Sequence, residues 1–102
     1  MKYNILTAVC SVLVAASAQS QTPTALQARS LAASCAACHG TNGQAQPGMV
    51  VLAGMPQEVT AAKMRDFKAG RLPAATVMHQ LAKGYTDDEI NAIAAYFAAQ
   101  KK

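Results

Sequence analysis

The chain has 102 residues, of which 52% are hydrophobic but only 5% aromatic, and nine Lys and Arg against five Asp and Glu give a formal net charge of +4. This mild excess of positive charge contains no basic run and little aromatic interleaving, so it gives no indication of nucleic-acid binding. The length is that of a single domain with a small hydrophobic core.

Residues 1–18 have the pattern of a secretory signal peptide. Lys2 supplies a positive charge, an apolar run covers residues 5–16, and Ala16-Ser17-Ala18 forms an A-x-A cleavage site. The apolar run is too short for a stable membrane span. We therefore expect export to the periplasm, cleavage after Ala18, and a mature domain over residues 19–102 without a membrane span; an uncleaved anchor is the alternative.

Cleavage would change both the cysteine content and the size of the protein. Cys10 would leave with the signal, so Cys35 and Cys38 would be the only thiols of a mature chain of about 84 residues. One such pair gives an exported protein no disulfide framework. The mature apolar content is mostly Ala and includes no Trp, so the core is underfilled, and a flat apolar cofactor would complete it.

The first helix of the mature chain is predicted from about Ala25 through Cys38. Thr24-Ala-Leu-Gln27 fits a capping box, with Gln27 at the third helical position. Gly40 can take a left-handed conformation after the last turn, so we expect the helix to end there.

The pentapeptide Cys35-Ala-Ala-Cys38-His39 at the end of that helix is the motif that carries chemistry. It is a C-x-x-C-H sequence, the pattern for covalent attachment of a c-type haem. Residues three apart share one helix face, so both thiols can reach one porphyrin edge and His39 can bind the iron. A thioredoxin-like pair, half of a zinc site and a small disulfide are the alternatives. We predict one covalent haem c.

The remaining elements are predicted to be helical, after a loop over residues 41–56. Residues 50–52 are apolar but have no second strand to pair with, so we interpret them as a plug against the haem. Three helices follow, at about residues 57–68, 76–83 and 87–100. Thr86-Asp-Asp-Glu89 is a capping box for the last one.

The buried faces of two of these helices can be predicted from apolar spacing. The last helix has apolar residues at the spacing i, i+3, i+4, i+7: Ile90, Ile93, Ala94 and Phe97. In the helix at 57–68, we expect Val59, Ala62 and residues 64–67 to be buried. The chain is therefore predicted to be all-α, with one domain and no repeats.

A second iron ligand would decide the chemistry, because a methionine sulfur closes the site and raises the reduction potential. The candidates in the mature chain are Met49, Met55, Met64 and Met78. Met64 is better interpreted as core, and Met49 and Met55 follow His39 closely enough to lie on its side of the haem. Met78 is the predicted ligand. Neighbouring His79 is predicted to be an exposed surface residue, with bis-histidine ligation as the alternative.

Together these segments resemble a class I cytochrome c over nearly the whole mature chain. The resemblance rests on the attachment motif, on Leu52-Ala-Gly54, and on residues 64–71 and 77–90. Their order resembles the cytochrome c4 branch and, more closely, the haem subunit of flavocytochrome c sulfide dehydrogenase. It implies an all-α, single class I cytochrome c domain wrapped around one covalent haem.

The resemblance also implies roles for individual residues. Thioethers and iron ligands would come from four residues: Cys35, Cys38, His39 and Met78. Pro47 would supply the carbonyl that holds the His39 imidazole, and Arg71 would pair with a haem propionate. The basic residues over 63–71 could meet an acidic partner or the propionates, or could form an ordinary solvated helix face.

Two functional hypotheses follow from this resemblance. In the first, the chain is a haem subunit that accepts electrons from a flavoprotein sulfide dehydrogenase. In the second, it is a free periplasmic shuttle between a dehydrogenase and an oxidase or reductase. Neither hypothesis needs catalytic acid–base residues, and we predict an electron-transfer protein that is not an enzyme. A haem peroxidase or gas sensor would require that Met78 is not on the iron.

Overall fold

The structure is built of helices joined by turns. The computed structural model describes residues 21–102, and the predicted signal peptide over residues 1–18, with Cys10, lies outside them. The α-helices in chain order are α1 (Ala25–Ala33), α2 (Ala36–His39), α3 (Gln57–Lys68), α4 (Met78–Ala82) and α5 (Asp87–Ala98). A 3-10 turn, Thr41–Gly43, follows α2. The described range contains no strand, so the predicted all-α fold class is confirmed.

The apolar stripe of α5 forms the centre of the core. Ile90, Ile93, Ala94 and Phe97 are all buried, as their spacing predicts. The Ile90 and Ala94 edge of the stripe packs with Ala61, Met64 and Ala82 from α3 and α4. The Ile93 and Phe97 edge packs with Ala32 of α1. A single helix therefore holds the other elements together.

Both predicted capping boxes are present. The Thr24 hydroxyl accepts from the backbone N–H of Gln27 at 3.2 Å, and the Gln27 side chain accepts from the Thr24 N–H at 2.8 Å. Thr86 and Glu89 make the same reciprocal pair at 3.2 and 2.9 Å. Each pair satisfies two backbone donors that the first helical turn leaves free.

The predicted continuous helix from Ala25 through Cys38 is wrong at one point. The α-helix ends at Ala33, and a new one begins at Ala36. Between them the Cys35 N–H bonds to the Ala32 carbonyl three residues back, at 3.0 Å, and the Ser34 hydroxyl donates to the Leu31 carbonyl at 3.1 Å. A side-chain hydroxyl that bonds to a nearby carbonyl competes with the regular ladder, so the helix tightens there.

The buried face of α3 also differs from the prediction. Thr60, Ala61 and Met64 are buried, whereas Val59 and Ala62 are exposed. The side chains of Gln57 and Arg65 reach Asn91 of α5, so the face between them is the one that meets the core. Apolar spacing failed here because small and polar residues occupy the contact with α5.

Helix α4 is shorter than the predicted span of residues 76–83. Val77 has φ −130° and ψ −40°, outside the helical region, so the first helical residue is Met78. Ala82 at the other end is fully buried among residues of α3 and α5. Among residues 21–102, no helix combines the length and apolar character needed to cross a membrane.

The loop after the attachment motif is closed by a tight contact at Gly43. Its carbonyl accepts from the N–H groups of Leu52 and Ala53, at 2.9 and 3.1 Å. Gly43 has φ +77°, and a Cβ there would lie 2.8 Å from the Ala53 nitrogen and 2.8 Å from Phe97 Cδ1. The turn therefore needs glycine both for its dihedral and for the space against α5.

We expect Gly43→Ala to lower the free energy of unfolding more than Gly48→Ala does. Gly48 is the matched control because its φ is +88° but a Cβ there would have nothing within 4 Å. Both variants incur the strain of a positive φ, so the difference isolates the steric clash, about 1–3 kcal/mol. Urea denaturation measures it, and an equal loss in the two variants would contradict the packing described for Gly43.

Candidate haem-binding site

One helical turn carries the whole C-x-x-C-H motif. Cys35 caps α2, and its carbonyl accepts from the N–H groups of Cys38 and His39 at 3.3 and 2.8 Å. Both thiols are free, as thioether formation requires. Cys35 is half-buried against the Ile93 and Phe97 part of the core, whereas Cys38 is exposed. The turn therefore anchors one thiol in the core and presents the other at the surface.

The two cysteines differ in their surroundings as well as their position. Burial raises the pKa of the Cys35 thiol, and local hydrogen bonds offset only part of this increase. Because the thiolate is the nucleophile, burial lowers the reactivity of Cys35 at neutral pH in two ways: it restricts access to the sulfur, and it disfavours ionisation of the thiol.

The His39 imidazole is held by a backbone carbonyl. Its Nδ1 lies 2.8 Å from the carbonyl oxygen of Val50. Since a carbonyl can only accept, this hydrogen bond places the proton on Nδ1 and leaves the lone pair of Nε2 free to bind a metal. The geometry is that of a histidine whose ring is oriented by the backbone, as in an iron ligand.

The carbonyl that holds His39 is not that of Pro47, which the sequence resemblance implied. The bond goes to Val50, three residues later. The Met49 N–H bonds to the Gln46 carbonyl at 3.1 Å, which closes a turn with Pro47 and Gly48 at its exposed tip. The chain therefore reaches His39 only after the turn. A backbone acceptor has no side-chain signature, so no residue type could have identified Val50.

The four candidate methionines fall into distinct environments. Met64 is buried in the core, in line with its predicted structural role. Met49 is exposed, and Met55 lies in an open groove with Val51 and Lys102. Met78 is the first residue of α4, half-buried against the cluster that contains Met64. Of the four methionines, Met78 is thus the one that begins a helix and is only partly buried, so its sulfur is not enclosed in the core.

His79 differs from its prediction as an exposed surface residue. It is half-buried, and its Nδ1 is buried without a hydrogen-bond partner in the described part of the chain. The same holds for the hydroxyl of Thr60 on α3. Sequence spacing could not show this, because the α4 segment is too short for its exposed face to be assigned.

The basic residues of α3 and its following turn are mostly engaged within the protein. Arg71, the predicted propionate partner, pairs with Asp66 through two nitrogens at 2.7 and 2.8 Å. Lys68 donates to the Tyr85 carbonyl at 2.7 Å and lies 3.6 Å from Asp87. This pattern favours the interpretation of a structured helix face, and a propionate contact by Arg71 stays a prediction.

The arrangement fits a haem better than the alternatives. Residues 21–102 contain no cluster of three or more Cys, His, Asp or Glu side chains arranged to hold a metal ion. The two cysteines therefore have no further zinc ligands beside them in this part of the chain. Val50, whose carbonyl holds His39, and Val77, next to Met78, are 61% and 54% exposed. Exposed apolar side chains at these two places, one bonded through its carbonyl to His39 and the other adjacent to Met78 in sequence, suit a large apolar macrocycle.

The comparison with known proteins agrees with this geometry. The model of the cytochrome c family matches residues 27–101. Over 72 residues the chain is 42% identical to the cytochrome subunit of sulfide dehydrogenase from Chlorobaculum tepidum, an alignment that covers 71% of this chain and 64% of that protein.

Two further relatives come from other bacteria. The thiosulfate dehydrogenase electron acceptor of Thiomonas intermedia is 39% identical over 72 residues, 69% of this chain and 33% of the relative. Cytochrome c4 of Azotobacter vinelandii is 35% identical over 79 residues, 69% of this chain and 38% of the relative. This chain therefore spans less than two thirds of the length of each of these three relatives. Since the family model matches most of its length, the chain belongs to the cytochrome c family.

Proposed function

We propose that this protein is a periplasmic electron carrier that holds one haem c, with thioethers at Cys35 and Cys38 and with His39 and Met78 as axial ligands. When bound, the haem supplies a one-electron iron centre. The observation that carries the proposal is the 2.8 Å hydrogen bond from His39 Nδ1 to the Val50 carbonyl. Because Nδ1 is engaged with the backbone, Nε2 is the ring nitrogen that would bind the iron.

Such a carrier must hold the haem firmly and must keep other ligands off the iron, and residues of this chain can meet both requirements. The turn from Cys35 to His39 holds both thiols and the imidazole within five residues, and the Cys35 side is packed into the core. As the second ligand, Met78 at the start of α4 would close the iron to water and small molecules. A closed site passes electrons but does not bind a substrate, so we infer a carrier and not an enzyme.

We further propose that the electron donor is a flavoprotein that oxidises sulfide, with this chain as its haem subunit. The support is the similarity to the cytochrome subunit of sulfide dehydrogenase. The second candidate is a free shuttle in the periplasm, supported by the similarity to cytochrome c4. Export through a cleaved signal at residues 1–18 belongs to both proposals, as does a mature domain over residues 19–102.

The ligand assignment predicts that Met78→Ala abolishes the weak far-red absorption band of a methionine-ligated ferric haem and lowers the reduction potential. The reason is that a thioether sulfur stabilises ferrous iron more than water does. Met49→Ala is the control, because Met49 is exposed in the loop. Optical spectra and potentiometry measure both effects, and retention of the band in Met78→Ala would exclude Met78.

The burial of Cys35 predicts a difference in thiol reactivity in the haem-free folded chain. We expect iodoacetamide to alkylate Cys38 faster than Cys35 near neutral pH, and the ratio of rates to narrow as rising pH ionises the Cys35 thiol. Peptide mapping by mass spectrometry measures the two rates. Circular dichroism first establishes that the haem-free chain is helical. The urea-unfolded chain is the control, in which both thiols should react alike; equal rates in the helical chain would contradict the burial.

The subunit proposal predicts that a flavin-containing polypeptide copurifies with the tagged protein from its native host and that sulfide reduces the complex. The free-shuttle proposal predicts a monomer without flavin, which sulfide does not reduce by itself. Gel filtration, flavin fluorescence and the haem spectrum after sulfide addition distinguish the two.

A further inference from the structure

A tyrosine hydroxyl links the segment that carries Cys35 to the turn after α4. The Tyr85 hydroxyl oxygen lies 2.9 Å from the Ser34 Oγ, across 51 positions of the chain. Ser34 immediately precedes Cys35, and Tyr85 lies three residues after Ala82, the last residue of α4. The turn that follows the Met78 helix is therefore hydrogen-bonded to the segment that precedes the attachment motif.

The direction of this bond follows from the other partner of Ser34. The Ser34 hydroxyl has one hydrogen, and its geometry places that hydrogen on the Leu31 carbonyl at 3.1 Å. Ser34 Oγ must then accept from Tyr85, so the tyrosine is the donor. Phenylalanine at position 85 would remove this donor and leave the ring.

Tyr85 is connected to the core in three further ways. Its ring packs against both core clusters, the one with Ile90 and the one with Phe97. Its N–H bonds to the Ala82 carbonyl of α4 at 3.3 Å, and its carbonyl accepts from Lys68 of α3 at 2.7 Å. The residue thus fixes the end of α4 relative to both α3 and the attachment segment.

Helix α4 needs such external support because it is short. Five residues are too few for a helix to be stable in isolation, so tertiary contacts must set the position of Met78. Besides Tyr85, two side-chain hydrogen bonds tie residues 34–43 to distant parts of the described chain. His39 bonds to Val50 in the loop, and Asn42 bonds to Tyr96 on α5, at 2.8 and 2.6 Å. Neither reaches the α4 segment.

We propose that Tyr85 is a positioning residue for the iron–Met78 bond, acting through its hydrogen bond to Ser34. This inference rests on the proposed function, since it assumes that Met78 binds the iron. The tyrosine holds the end of α4 against the segment that precedes Cys35. It would thereby reduce the fraction of time for which Met78 is dissociated from the iron.

The test compares Tyr85→Phe with the wild type as ferric holoprotein titrated with imidazole, a small ligand that displaces methionine from iron. We expect Tyr85→Phe to bind imidazole about two- to fivefold more tightly. This is the change in affinity expected when the protein no longer has one solvent-accessible hydrogen bond that favours the Met78-bound state. Ser34→Ala should give the same change, and the double variant no more than either single one. The far-red band reports displacement of the methionine directly.

Tyr96→Phe is the matched control. It also removes a tyrosine hydroxyl bonded to the attachment segment, at Asn42, but from α5 and not from the turn after α4. We expect its imidazole affinity to stay within twofold of the wild type, with urea denaturation of all variants reporting any general loss of stability.

Three results would overturn the inference. Unchanged imidazole affinity in Tyr85→Phe, an equal change in Tyr96→Phe, or additive effects of Tyr85→Phe and Ser34→Ala would each exclude a specific positioning role. In all three the wild type keeps its far-red band, so the proposed function stands. A wild type that lacks the band would instead reject Met78 as ligand and, with it, both proposals.

Discussion

The burial of one helix face on α5 is the constraint on which the rest of the structure depends. Ile90 and Ala94 meet α3 and α4, whereas Ile93 and Phe97 meet α1 and the half-buried Cys35. The thiol side and the methionine side of the site are therefore packed on adjacent edges of the same stripe. Two elements too short to be stable alone are tied to it at one residue each, α2 through its N-cap Cys35 and α4 through Ala82.

The chemistry of the site depends on a backbone group that this packing delivers. The Leu52 and Ala53 N–H groups bond to Gly43, and Leu52 packs against the cluster that contains Phe97. These contacts hold the loop that brings the Val50 carbonyl to His39. The hydrogen bond that orients the proposed iron ligand thus depends on closure of this loop against α5. A substitution at Gly43 would disturb both the loop closure and the His39 hydrogen bond.

The small core is itself consistent with a bound macrocycle. Of its buried apolar residues, Ala28, Ala32, Ala53, Ala61, Ala82 and Ala94 contribute little area, and three larger side chains, Ile90, Ile93 and Phe97, are fully buried. Apolar burial scales with the area removed from water, so such a core stabilises weakly. Exposed Val50 and Val77 would gain burial from a haem, which links cofactor attachment to folding stability.

The sequence by itself determined the features that are local. The attachment motif lies within five residues, each capping box within four, and the α5 stripe follows a helical period, so side-chain type and spacing predicted all of them. Only the tertiary structure decided that α3 buries Thr60, that His79 is half-buried, and that Val50 and not Pro47 holds His39. These depend on contacts between segments far apart in the chain, and on backbone groups that every residue carries, which residue type does not encode.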